Sequence, residues 1–147
     1  MNKFAQKFRL EELAVARYAH WTVSIRPVQI TLGSLVISLN RECNRLGLIT
    51  ETESKEMAVV FSDVEAALKD LIDHEKINYL GLMMVDDHVH FHVIPRYSGV
   101  RTLGTHELTD THWPGPPDVS SGTNDEALIQ SLRENLTDTL KGKGAAQ

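Results

Sequence analysis

Three histidines recur at alternate positions in Asp86-Asp-His-Val-His-Phe-His-Val-Ile-Pro-Arg96, out of only seven in the 147 residues. A β-strand sends successive side chains to opposite faces. On a strand, His88, His90 and His92 therefore form one row of imidazoles, backed by an apolar row of Val89, Phe91 and Val93. A neutral imidazole nitrogen can attack phosphorus, displace a leaving group and form a phosphoramidate that water later cleaves. Such a nucleophile needs its ring held in one tautomer by a hydrogen bond at the second nitrogen. It also needs donors for the charge that develops on the phosphoryl oxygens. His90, flanked on its own face by His88 and His92, has both kinds of neighbour. The same row admits a metal reading, since imidazole is a common zinc and iron ligand. Same-face residues rise about 6.5–7 Å along a strand, so His88 and His92 stand about 13 Å apart and share one ion awkwardly. Asp86 or Asp87 is the candidate to supplement a pair.

The elements that must position this row are legible on either side of it. Trp21-Thr-Val-Ser-Ile25 and Ser34-Leu-Val-Ile-Ser-Leu39 read as strands, joined across Gly33, which suits a tight bend. Thr50 and Glu53 have capping-box spacing, and Met57, Val60, Phe61, Val64, Ala67, Leu68 and Leu71 trace one face of a long helix. Ile77 to Val85 reads as a buried strand. Val85-Asp-Asp then turns the chain directly into the histidine strand as a short antiparallel hairpin. Leu10, Leu13 and Ala14 are spaced for one face of a short helix over Phe8 to Tyr18. Ser98 to Gly122 is rich in Gly, Pro, Thr and Asp and reads as loop. Thr123-Asn-Asp-Glu126 has capping-box spacing before a C-terminal helix with Leu128, Ile129, Leu132, Leu136 and Leu140 inward. The expected architecture is α+β, an antiparallel sheet of about five strands with a long helix and a C-terminal helix. Residues 1–100 are expected to form the catalytic domain, and 101–147 an extension packing on it.

Composition narrows the functions this row can serve. A formal net charge of −5 argues against a broad nucleic-acid-binding surface, while leaving room for one locally positive phosphate pocket. Cys43 is the only cysteine, so no intramolecular disulfide and no multi-cysteine metal site can form. No apolar run approaches a membrane span, and the N-terminus lacks the apolar stretch of a secretion signal. A cytoplasmic location is expected.

His88-Val-His-Phe-His-Val-Ile94 resembles the histidine triad motif, three histidines alternating with apolar residues and closed by two apolar positions, at all seven places. The Pro95-Arg96 extension is similar to the branch holding the fragile-histidine-triad and dinucleoside polyphosphate hydrolases. The order of elements from Phe8 to Tyr97 follows the same family. The resemblance implies a hydrolase or transferase acting at the α-phosphate of dinucleoside polyphosphates, nucleoside phosphoramidates or related conjugates. His90 is then the nucleophile that takes the nucleotidyl group, His88 holds the geometry and contacts phosphate, and His92 orients His90 and binds phosphate oxygens. The resemblance implies no required cofactor, a Mg2+ ion accompanying a polyphosphate substrate at most, and a homodimer formed through the long helix and adjoining strand.

Three departures bear on substrate. Gly33-Ser34 stands where the family has Gly-His, and a serine can hydrogen-bond phosphate but carries no charge. The connection at Val85-Asp-Asp87 is short and acidic. Arg26 stands where a ribose-contacting Asp or Asn is common, and its forked guanidinium suits phosphate. Trp113-Pro114 resembles a pair near the C-terminus of some relatives, which makes Trp113 a candidate pocket wall. The substrate-binding candidates are therefore Ser34, Arg26 and Trp113. Two other readings stay open: a metal-dependent hydrolase on the same histidines, and a nucleotide-binding protein without catalysis.

Overall fold

The computed structural model describes residues 2–143. Five strands form one antiparallel sheet: β1 (Ala14–Arg17), β2 (Trp21–Ile25), β3 (Leu35–Leu39), β4 (Lys76–Leu80) and β5 (His90–Arg96), in the order β1-β2-β3-β5-β4. The α+β architecture read from the sequence is the one observed. On one face, Trp21, Val23, Ile25, Leu35, Ile37, Leu39, Phe91 and Val93 join a single core with two helices. These are α2 (Glu51–Ile72) and α3 (Glu126–Lys141). The opposite face is the polar one, where register sets His92 against Val36 and His90 against Ser38. A short helix, α1 (Asn2–Lys7), closes part of that face through Phe4, which with Phe8, Leu10 and Val36 makes a second, smaller core.

Local chemistry explains the elements that hold β5 in place. Both hydrogen bonds of the Thr50–Glu53 capping box form, so α2 starts where the sequence says it should. Gly33 has φ +91°, and a Cβ there would collide with Ile72 Cδ1 of α2. The bend into β3 therefore needs glycine for both conformation and space. The Gln29 side chain ties the same bend together, accepting from the Gly33 and Ser34 amides at 2.8 and 3.0 Å.

Four expectations are corrected. The segment from Phe8 to Tyr18 is not a helix: α1 ends at Lys7, Arg9 turns the chain at φ 51°, and residues 14–17 pair with β2. Leu10, Leu13 and Ala14 are buried as their spacing demands, but from a turn and a strand. β4 ends at Leu80, so the link to β5 is a loop over residues 81–89 rather than a tight Val85–Asp87 turn. The stretch after Tyr97 contains a hairpin, β6 (Val100–Leu103) and β7 (His106–Thr109), which turns at Gly104 with φ 60°. Finally, α3 is capped by Asp125, whose carboxylate accepts from the Ala127 and Leu128 amides at 3.0 and 3.3 Å. Thr123 instead bridges to Gln29.

Candidate active site

β5 lies inside the sheet, and all seven of its residues are buried. His90 and His92 stand on its polar face, and His88 sits two residues before the strand, near the end of the 81–89 loop. Each ring is held by a different backbone or side-chain partner, which fixes its tautomer. The His88 ring meets the Leu39 carbonyl at 2.8 Å, so its Nε2 carries the proton. His88 Nδ1 is buried and has no hydrogen-bond partner among the described residues. The His90 ring meets the His88 carbonyl at 2.5 Å, so Nδ1 carries the proton and Nε2 keeps its lone pair. His92 Nδ1 accepts from Arg26 Nε at 3.3 Å, so its proton sits on Nε2. Of the two rings on β5, His90 thus presents a nucleophile and His92 a donor. They pack edge to face with centroids 5.0 Å apart.

The electrostatics keep both rings neutral near pH 7. Burial lowers the pKa of His90. Burial and then the nearby Arg26 charge lower His92 to about 4. Arg26 is itself buried, and among the described residues it makes no ion pair with a carboxylate. Its Nη1 donates to the Val28 carbonyl at 2.7 Å. A buried guanidinium that no carboxylate among the described residues pairs with favours an anion beside His92.

His90, His92 and Arg26 share one cavity of about 250 Å3. Its other walls are Lys7 and Phe8, the 81–89 loop from Leu82 to Asp86, and Val119 from the tail. Leu82, Met84 and Val85 are exposed along its rim. Phe4 packs on His90 with centroids 4.4 Å apart, and Phe8 on His92 at 5.5 Å. Lys7 Nζ pairs with Asp86 Oδ2 at 2.9 Å and so joins α1 to the loop.

No family model matches the chain, and no curated protein matches it. Solved structures do. A histidine triad protein from Marinobacter aquaeolei superposes with a TM-score of 0.72 at 16% identity, covering 91% of this chain and 93% of that one. A hypothetical histidine triad nucleotide-binding protein from Sulfolobus tokodaii gives 0.69 at 14% identity, over 88% of this chain and 84% of the other. This chain has the histidine triad fold. A zinc-bound histidine triad family protein from Mycobacterium smegmatis is more distant, with a TM-score of 0.54 at 16% identity over 86% and 84% of the two chains.

Within the histidine triad fold, the residues singled out from sequence separate into two groups. His90, His92 and Arg26 come together in the cavity. His88 does not line it: its ring is tied to the Leu39 carbonyl of β3, and it borders a separate hollow with Arg41, Cys43 and Asp87. Ser34 and Trp113 stand apart from the cavity. Ser34 is fully buried, its Oγ donating to the Thr31 carbonyl at 2.8 Å and accepting from the Thr31 amide at 3.1 Å. Trp113 lines a groove with Lys76, Asn78 and Arg96 at the far end of β5. Sequence reasoning missed Phe4, Lys7 and Phe8. Their signal was present in the alternation of aromatic and basic residues in Phe4-Ala-Gln-Lys-Phe8, but nothing local shows that the segment crosses the histidine face. Among the described residues, no group of three or more His, Cys, Asp or Glu has the geometry to hold a metal ion. No helix among them is long and apolar enough to cross a membrane.

Proposed function

We propose that the protein is a nucleotide hydrolase or transferase acting at the α-phosphate of a dinucleoside polyphosphate, nucleoside phosphoramidate or related conjugate. The observation that carries this reading is the hydrogen bond from His90 Nδ1 to the His88 carbonyl, which leaves Nε2 free to attack. In the first step a bond forms between Nε2 and the α-phosphorus. The bond to the leaving group breaks with its electron pair, and the leaving group takes up a proton from solvent. The ring becomes a cation whose Nδ1–H is already aimed at a carbonyl oxygen. His92 Nε2–H and the Arg26 guanidinium offer a donor and a positive charge to the phosphoryl oxygens. In the second step water attacks phosphorus, the P–N bond breaks, and nucleoside monophosphate leaves with release of a proton. An alcohol or amine in place of water makes the same step a transfer.

The proposal extends to assembly and setting. β4 is a free sheet edge, and Val59 of α2 and Leu82 beyond β4 are exposed apolar residues. These features support a homodimer through α2 and β4, expected as twice the chain mass in light scattering. A Mg2+ ion enters only as the companion of a polyphosphate substrate, and the protein works in the cytoplasm.

Intact-protein mass spectrometry after rapid quenching tests the chemistry, with adenosine 5′-phosphoramidate and diadenosine tri- and tetraphosphate as substrates. A nucleotidyl adduct mapped to His90 is expected. His90→Asn should abolish the adduct and lower kcat by at least about 10³-fold. Full activity in that variant would sink the mechanism.

A further inference from the structure

Helix α1 occupies ground that the reaction needs. Its Phe4 and the adjoining Phe8 are both buried, and they lie against the rings of His90 and His92. The cavity left to the two histidines is about 250 Å3. Pockets that enclose drug-sized ligands run from about 300 to 1,000 Å3, so a nucleotide seated on these histidines extends past the rim of this one. On the other side of α1 lies a second hollow of about 280 Å3, lined by Ala5 of the helix with Leu10, Thr22, Ser38 and Asn40. Ser38 is the cross-strand partner of His90, so the two hollows lie at one register of the sheet, with Ala5 and Lys7 of α1 each bordering one of them. Phe4 and Phe8 fill the ground beside the two rings, so the larger the leaving group, the more it competes with α1 for that space.

α1 is held by the small core of Phe4, Phe8, Leu10 and Val36, and two features make that core its main anchor. It has six residues, too few for a helix to persist without its packing. Its link to the far wall of the cavity is the Lys7–Asp86 ion pair, in which the lysine side chain is more than half exposed. With the lysine in solvent, the pair is screened on that side even though Asp86 is largely covered, so it adds little to the hold of the aromatic core.

We propose that α1 sets the substrate class. Docked, it admits a nucleotide conjugate with a small leaving group, such as an amine, and excludes the second nucleoside of a dinucleoside polyphosphate. This inference rests on the nucleotide reading above. Phe4 and Lys7 are its specificity-determining residues, the first by filling space over His90 and the second by tying the helix to the loop.

The test loosens the helix in one variant and locks it in another. Phe4→Ala removes the filling ring. Lys7→Cys with Asp86→Cys, joined by a short bis-maleimide in a Cys43→Ala background, locks α1 to the loop, Cys43 being the protein's own free thiol. Two quantities are read in each. One is the rate at which diethyl pyrocarbonate modifies His90, mapped by peptide mass spectrometry with the exposed His112 as internal reference. The other is the ratio of kcat/KM for adenosine 5′-phosphoramidate to that for diadenosine tetraphosphate. The native protein is expected to favour the phosphoramidate by about tenfold or more. Phe4→Ala should speed His90 modification and shrink that preference, chiefly by raising the tetraphosphate rate. Cross-linking should slow modification and widen the preference. A labelling rate that ignores both variants would overturn the inference, as would a preference that stays fixed while labelling changes. Labelling that responds while no nucleotide is bound or turned over would sink the nucleotide reading, and the selectivity with it.

Discussion

The roles of the three histidines differ because their second ring nitrogens have different partners. His90 is tied to a carbonyl, which can only accept, whereas His92 is tied to Arg26, which can only donate. Arg26→Met removes the donor and the charge together. The titration of His92, followed by ring NMR, should then move up from about 4 but stop short of its ordinary value, because burial, the larger cause, persists. kcat should fall by about 10²-fold, as for other lost charge-stabilising donors. An unmoved His92 titration would separate the two residues. The depressed pKa also has a consequence for stability. Between pH 6.5 and about 4 the unfolded chain binds a proton at this position that the folded chain refuses. Stability is therefore fully present above pH 6.5 and declines as pH falls through that window. His90, also depressed, adds to the decline in the same direction. The melting temperature should drop between pH 7 and pH 4, and less steeply in His92→Gln. The period-two row was legible in the sequence, but the tautomers were not, since they depend on where a backbone carbonyl and a distant arginine come to rest.

At the scale of elements, legibility followed the length of the pattern. The long helix was readable to its cap because twenty-two residues repeat one stripe and both partners of the capping box lie in the same turn. β2 and β3 were readable because each carries a continuous apolar row for the helices. Short elements were not. The Leu10, Leu13, Ala14 spacing fits a helical face, yet the same burial is met by a turn and a strand pairing with β2. The β6–β7 hairpin had a signal in the Gly104-Thr105 pair between two alternating segments, a two-residue turn with glycine first. It was overridden by the proline and glycine content around it. Gly33 joins element to element and gives a prediction there. Gly33→Ala must adopt φ +91° and displace Ile72, so it should cost of order 1–3 kcal/mol from the backbone alone, with the collision added. Chemical denaturation should show this as a lower midpoint. Thr50→Ala, which removes only the cap of α2, should cost about 1 kcal/mol and leave activity intact.

For the whole molecule, the question is how a tail that reads as loosely structured comes to border the site. Composition marks the segment after Tyr97 as loop, and much of it is, yet Val119 reaches the histidine cavity. The anchor is Arg96, at the end of the histidine strand. Its guanidinium donates to both carboxylate oxygens of Asp110 at 2.7 and 3.2 Å, to Asn78 at 2.7 Å and to the Gly115 carbonyl at 2.7 Å. Arg96 and Asp110 are both buried. Nothing in the sequence pairs positions 96 and 110, because the contact exists only once the hairpin has folded back between them. Arg96, the residue that extends the triad motif, is thus spent on holding the tail rather than on phosphate. Breaking one side of a buried pair leaves an uncompensated charge, so Asp110→Ala should lose about 3–5 kcal/mol. The double change Arg96→Met with Asp110→Leu removes both charges and should recover most of that loss. Activity should respond differently from stability. Asp110→Ala still leaves Arg96 bonded to the Gly115 carbonyl, whereas the double variant removes that bond too, so Val119 shifts from the cavity rim and KM rises more in the double variant, while kcat holds because the His88–His90 hydrogen bond is untouched. If the double variant restores stability and KM together, the tail reaches the site without help from this anchor.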